Sequence, residues 1–395
     1  MQRKQFIKTT VLGTGVACIF PSKLFAGVNG EKYPELKNHK IKKAELVKYN
    51  YHWPRFVGKN ARKGVHGQFH SYDALKLTTD QGAVGWALSS NKIKGQLNQI
   101  EGKIVSELIS PEYGMRSGLS PYMDLALHDL MGVILNKPVY ELIGAKGTKN
   151  TPIYSGMIYL DELEPEDHPA GISKIIENCQ WDIDYGYQQL KVKIGRSGRW
   201  YPHDEGLKKD IEVVKLIHKT FPDITLLVDA NDKYTLQDTI EFLKGIGDIP
   251  LLWVEEPFHE NYDDGKKLRQ WMDRNGFEKT LYADGEADTD HELCLKMGKE
   301  GIMDVYLPDI RSFGFTRWRN IMPQLKKQKM WASPHAWGSM LKTHYIVHLA
   351  AGCGNVVTIE GVTCISDDID YGDYKIVNGK IQVSEMPGFG MKLLK

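Results

Sequence analysis

The sequence predicts an α/β protein whose larger part is a (β/α) barrel, preceded by a smaller α+β region. Three observations carry that prediction. From about residue 150 onward, short apolar runs alternate with helical periodicity, the pattern of a covered parallel sheet. Seven or eight such units in about 215 residues fit a barrel better than an open doubly wound sheet. No GxGxxG follows a first strand, which also speaks against a dinucleotide fold.

The runs are QLKVKIG (189–195), TLLVDAN (225–231), IPLLWVEEP (249–257), TLYADGE (280–286), MDVYLPD (303–309), MWASPH (330–335) and NVVTIEG (355–361), with an amphipathic helix expected over 205–221. Upstream, residues 37–90 read as a β-meander, in which ALKLTT and AVGWAL flank a Gly-bearing turn at Asp80-Gln81-Gly82. Ser120-Pro121 then opens a helix with apolar residues at helical spacing. After residue 365 the alternation stops. The tail, 366–395, carries a hairpin-like Asn378-Gly379-Lys380 and is expected to pack back on the N-terminal region. The organisation expected is thus 1–28 leader, 29–150 α+β, 151–365 barrel and 366–395 tail.

At 395 residues, 42% apolar and 26% charged, the chain can bury a large core. Fifty-one basic and 50 acidic residues leave a net charge of +1, with no basic footprint for nucleic acid and no field for a membrane surface. The start reads as an export signal. Arg3, Lys4 and Lys8 precede an apolar run, Thr9 to Phe20, and Ala26 offers a small residue for cleavage. RKQFIK is similar to a twin-arginine signal with Lys4 in place of the second Arg, so either export route fits, and a periplasmic location is expected. Cys18 is a candidate lipid acceptor without the usual Leu three residues earlier. No later segment has the length of a membrane span. The five cysteines show no CxxC spacing and read as small buried apolar residues.

The chemistry lies at the strand ends. Lys193, Asp229, Glu255, Glu286, Asp309, His335 and Glu360 each close an apolar run, at successive gaps of 36, 26, 31, 23, 26 and 25 residues. Each gap is one βα unit, so a barrel brings all seven to its C-terminal mouth. Asp229, Glu255 and Glu286 repel one another unless a cation joins them, and an all-oxygen set suits Mg²⁺. Lys191 and Lys193 share one strand face by period-2 alternation. Mutual repulsion beside a metal lowers a lysine's pKa and makes it a general base. Asp309 can hold one ring nitrogen of His335 and leave the other for substrate. His344 and His348, four apart on the following helix, read as structural.

At these residues the sequence resembles the enolase superfamily, and within it the mandelate racemase subgroup. The carrying motifs are KVK (191–193), VDAN (228–231), VEEP (254–257), DGE (284–286), PD (308–309), PHAWGS (334–339) and IEG (359–361), over essentially all of 40–395. The resemblance implies a (β/α)7β TIM-like barrel capped by an α+β domain made from the N-terminal region and the C-terminal tail. It implies Lys193 as base on one face and His335, paired with Asp309, as acid or base on the other. Lys191 would hold the substrate carboxylate. Asp229, Glu255 (the first Glu of VEEP) and Glu286 would bind Mg²⁺. Glu360, protonated or sharing a proton, would donate a hydrogen bond to the enolate; a lysine or histidine base with Mg²⁺ is the general pattern for such sites.

The substrate implied is a small carboxylate, a sugar acid first of all, and a homo-oligomer is expected. Removal of the α-proton can end in loss of water, in reprotonation by a racemase or epimerase, or in cycloisomerisation; dehydration is favoured. Tyr51-His52-Trp53-Pro54-Arg55 and His66 are candidates for substrate contact, with Arg55 able to meet a distal carboxylate. Two rivals stand beside this reading. One is a Schiff-base aldolase using Lys193; the other is an exported binding protein on a barrel without turnover.

Overall fold

The computed structural model describes residues 32–395; the expected export signal and Cys18 lie outside the described residues. The N-terminal region begins with an antiparallel sheet of β1 (Ile41–Val57), β2 (Gly67–Thr79) and β3 (Val84–Leu88). Helix α1 (Pro121–Ile134), which follows Ser120 and has proline in its first turn, covers this sheet. Gly85 permits the contact, since a Cβ there would lie 2.4 Å from the Leu130 backbone.

Eight parallel strands follow: β4 (Asn150–Ile158), β5 (Gln189–Lys193), β6 (Thr225–Asp229), β7 (Leu251–Glu255), β8 (Leu281–Asp284), β9 (Val305–Tyr306), β10 (Trp331–Ala332) and β11 (Ile359–Gly361). They pair in sequence order from β4 to β10. Ala332 bridges to Val356, and β11 pairs back onto β4 (Ile359 with Ile153), which brings the ring round on itself. Seven helices separate the strands: α2 (Ser173–Tyr185), α3 (His203–Thr220), α4 (Leu236–Ile246), α5 (Tyr262–Arg274), α6 (His291–Lys299), α7 (Phe315–Lys327) and α8 (Met340–Cys353). This is the expected (β/α)7β arrangement, and all seven predicted runs contain a strand.

Strand β4 is absent from the seven runs read in the sequence. Pro152, Ser155 and Gly156 dilute its pattern, and proline in particular argues against a central strand. Gly156 has a spatial reason: a Cβ there would meet Glu360 Oε1 at 2.7 Å.

The tail departs in part from expectation. Phe389 N donates to Asp129 (2.8 Å), Trp86 Nε1 to Met391 O (3.2 Å) and Asn50 N to Asp368 (2.8 Å), all contacts with the N-terminal region. The hairpin Ile376–Val377/Lys380–Gln382, however, turns through Asn378 and Gly379, both at positive φ. It pairs antiparallel with Asn150–Pro152, so this part of the tail extends the barrel sheet. The turn pair has the Asn-Gly chemistry of tight hairpins.

Cys179, Cys294 and Cys364 are buried and Cys353 half-buried, all with free thiols, as their spacing suggested. No described helix is long and apolar enough to cross a membrane.

Candidate active site

Strand register assembles the site. Lys193 pairs with Asp229 and Asp229 with Glu255 across β5, β6 and β7, so three strand ends lie side by side. Lys193 Nζ donates to Asp229 Oδ2. Lys191 Nζ, one layer deeper, lies 2.6 Å from Glu255, 3.1 Å from Glu360 and 3.3 Å from Asp229. From the other side, His335 Nε2 is 3.1 Å from Glu286 and its Nδ1 3.2 Å from Asp309. Glu360 Oε2 accepts from Ala336 N at 2.5 Å and lies 3.9 Å from His335 Nε2. All eight residues singled out in the sequence therefore belong to one connected network.

Ligand oxygens of Asp229, Glu255 and Glu286 all lie within 4.8 Å of one another. Glu286 Oε2 is enclosed without a hydrogen-bond partner. Three converging carboxylates with an orphaned oxygen fit a hard divalent cation such as Mg²⁺. Of the VEEP pair, Glu255 joins this set. Glu256, held at φ +39°, converges instead with Asp232 and Asp284 and accepts from Ala287 N at 2.9 Å.

By the protein's own charges alone, the Lys193 pKa is raised. Burial pushes it down and Lys191 adds to that, but the Asp229, Glu286 and Glu255 carboxylates outweigh them. Lys191 is raised well above its usual value in the same way, against burial, by Glu255 and Glu360 foremost. The lowering expected for Lys193 belongs to the site with its metal bound, where Asp229, Glu255 and Glu286 are the ligands. A divalent cation on the same carboxylates would offset that stabilisation and free Lys193 to act as a base. Glu360 was expected to be protonated or to share a proton. Burial favours that form, but the Lys191 and His335 charges and the Ala336 N–H pull its carboxyl down to about 2.

Lys191 also differs from expectation. It is 1% exposed and enclosed by three carboxylates, so its ammonium lies beneath the metal-ligand set rather than open to a substrate.

Lys342 was missed. Its Nζ lies 2.6 Å from Asp309 Oδ2 and donates to Trp337 O at 2.8 Å. Together with His335 it holds the Asp309 carboxyl well below its usual range despite burial. The only sequence signal was a lysine in the first turn of an otherwise buried helix, α8.

The candidate substrate-contact residues divide. Arg55 is committed elsewhere, with Nη1 and Nη2 on the two oxygens of Asp182 at 2.7 and 2.8 Å. Its expected role toward a distal carboxylate is therefore corrected to a bond between β1 and α2. Tyr51 OH donates to Gly338 O, and Trp53 packs on Trp337 with centroids 4.9 Å apart. His52 lies beside the exposed Phe69. His66 stands edge-on to Tyr159 (4.8 Å) and Trp337 (5.7 Å). Tyr159 in turn lies under Lys193 Nζ at 5.4 Å. His344 and His348 are fully buried, His344 stacked on Tyr374 at 3.8 Å, as structural residues.

Eight parallel strands with chemistry at one mouth define a barrel enzyme class, and comparison with known proteins identifies which. The profile of the enolase C-terminal domain-like family matches residues 174–395, more than half the chain. The chain belongs to the enolase superfamily. The galacturonate dehydratase of Geobacillus sp., solved with D-galacturonate and 5-keto-4-deoxy-D-galacturonate, is 30% identical, with a TM-score of 0.84 over 90% of this chain and 95% of that one. A mandelate racemase/muconate lactonizing protein of Geobacillus sp. Y412MC10, solved with magnesium and tartrate, is 29% identical, with a TM-score of 0.84 over 90% and 93%. The D-gluconate/D-galactonate dehydratase of Picrophilus torridus is 24% identical over 70% of this chain and 68% of its own. The protein is thus an enzyme of the superfamily's dehydratase and isomerase kind.

Proposed function

We propose that this enzyme removes the proton α to the carboxylate of a sugar acid and then expels the β-hydroxyl as water. The observation that supports this most is the placing of Lys193 and His335 on opposite flanks of one three-carboxylate set, at Asp229 and at Glu286. Asp229, Glu255 and Glu286 would hold Mg²⁺, which when bound neutralises the charge that builds on the substrate carboxylate.

The remaining steps belong to the chain's own side chains. Lys193 takes the α-proton into its amine. His335 delivers a proton to the departing hydroxyl, so that C–H and C–O bonds break, water leaves and the enol product ketonises to an α-keto acid. Asp309, itself fixed by Lys342, orients the His335 ring. Lys191 and Glu360 keep the base of the site charge-balanced. The KVK pair and the His335–Asp309 pair support placement in the mandelate racemase subgroup.

The same two-flank geometry favours one second reading, reprotonation at the α-carbon by His335, which yields a racemase or epimerase. Incubation of a sugar-acid panel with enzyme and Mg²⁺ in D₂O, followed by NMR, separates them. An α-keto acid product supports dehydration, and deuterium at the α-carbon without loss of water supports epimerisation. Neither event across the panel would overturn the reading. The proposal extends to a periplasmic setting, supported by the basic start and the apolar run of residues 9–20; cell fractionation tests it.

A further inference from the structure

The loop between β1 and β2 is fastened to the barrel just beyond the ends of β4 and β5. Gly58 N donates to Asp161 Oδ1 at 2.6 Å, Leu160 N to Lys59 O at 3.0 Å, and Trp200 Nε1 to Asn60 O at 2.8 Å. A Cβ at Gly58 would stand 2.9 Å from Asp161 Oδ1, so the close approach needs glycine. This fastening sets the half-buried His66 against Tyr159 and Trp337, beside Lys193.

The ring's orientation fixes its chemistry. Nδ1 lies 2.8 Å from Gly58 O, a carbonyl that can only accept, so Nδ1 carries the proton and Nε2 carries a lone pair. Burial, with the Lys193 charge adding to it, lowers the ring's pKa to about 4 against the Gly58 bond, so the neutral form persists at pH 7. Among the described residues no donor pairs with Nε2. Arg55, the cation expected nearby, is bound to Asp182; Lys63 is exposed beside the ring.

We propose that His66 reads the part of the substrate away from the reacting carboxylate, accepting a hydrogen bond at Nε2 from a hydroxyl group there, while Trp337 flanks the carbon skeleton. The preferred substrate is then a polyhydroxy monocarboxylate. A second carboxylate at that position brings no hydrogen to a lone pair and is repelled by it. This inference rests on the reading under Proposed function and narrows its substrate class.

The test compares an aldonic acid with the aldaric acid of the same sugar, which differ only in CH₂OH against COO⁻ at the far end. The wild-type enzyme with Mg²⁺ favours the aldonic acid in kcat/KM by about tenfold or more, the effect of one well-placed hydrogen bond. His66→Phe keeps a ring against Tyr159 and Trp337 but removes the acceptor, and the ratio of the two kcat/KM values falls toward one. The readout is a ratio, so a general loss of activity divides out. As a check free of any variant, non-reacting aldonic and aldaric analogues compete for the wild-type enzyme with the same preference. Equal or reversed preference, with Lys63 taking the second carboxylate, overturns the inference, as does a ratio unchanged in His66→Phe. If acids of neither kind react or exchange, the proposed function itself fails. Turnover with the wrong preference sinks this inference alone.

Discussion

Glu255 and Glu256 are neighbours in sequence and nearly equal in burial, yet they enter different groups. Glu255 faces Asp229 and Glu286, whereas Glu256 turns at positive φ toward Asp232 and Asp284. Both sets converge to the same degree, but only the Glu255 set faces Lys193 and His335, so the cation that serves the chemistry depends on Glu255. Glu255→Gln is expected to weaken Mn²⁺ binding, read by EPR, by about tenfold or more, equivalent to about 1.4 kcal/mol. Glu256→Gln should leave that affinity within about threefold, or about 0.6 kcal/mol. Equal losses in both variants would mean that the ligand set is misassigned.

At this scale the sequence was informative for residue identity and less so for the charges that surround each residue. Lys193 was placed correctly beside Asp229, but its pKa depends on how many acids face it, and that number exists only once three strand ends have been brought together. Lys342 was invisible for a related reason. It reaches Asp309 from a helix, so no strand-end pattern announces it.

Among the elements, those with strong local signals were legible. Runs such as TLLVD and LLWVE are rich in apolar residues, end on a charge and are followed by helices with clear starts, for example the Thr235–Asp238 capping box of α4. Strand β4 was not, because its glycine and proline answer to neighbours far along the chain, Gly156 to Glu360 and Pro152 to Lys380. Arg55 shows the same limit. Its partner Asp182 is 127 residues away and has no exposed surface, so the sequence offered Arg55 as a free cation when the fold uses it to join β1 to α2. Arg55→Met leaves that carboxylate buried and unpaired, which costs about 3–5 kcal/mol. Thermal melting should show a large loss of stability, with KM for the acid substrate of the surviving folded enzyme unchanged. A raised KM with normal melting would return Arg55 to the substrate.

For the whole molecule, the tail, α1 and the three-stranded sheet meet at Asp129. Its carboxylate accepts from Trp86 N (2.8 Å) and Phe389 N (2.8 Å) with no cation alongside among the described residues, and burial raises its pKa to about 7 against those two bonds. The unfolded value is about 3.9. Between the two, the folded chain holds a proton that the unfolded chain has released, so this group's contribution is full below about pH 4 and is lost as pH rises to about 7. The loss has a ceiling of about 1.4 kcal/mol per pH unit. Asp129→Asn is less stable at pH 5, because one N–H loses its acceptor, but it lacks the titration. The gap in Tm to wild type therefore narrows between pH 5 and pH 8. A gap that stays constant would show that Asp129 does not titrate in this range.

The barrel sets one register for all these parts: eight strand ends around one mouth, a lysine and a histidine on two flanks, and an acid set between them. The most direct measurement of that account is exchange of the substrate α-proton with D₂O, followed by NMR on any sugar acid the enzyme turns over. The account predicts exchange in the wild type with Mg²⁺, its loss in EDTA, and a fall of about a thousandfold or more in Lys193→Ala, at the upper part of the range for removing a positioned general base. Exchange that persists in EDTA, or at near wild-type rate in Lys193→Ala, would contradict it.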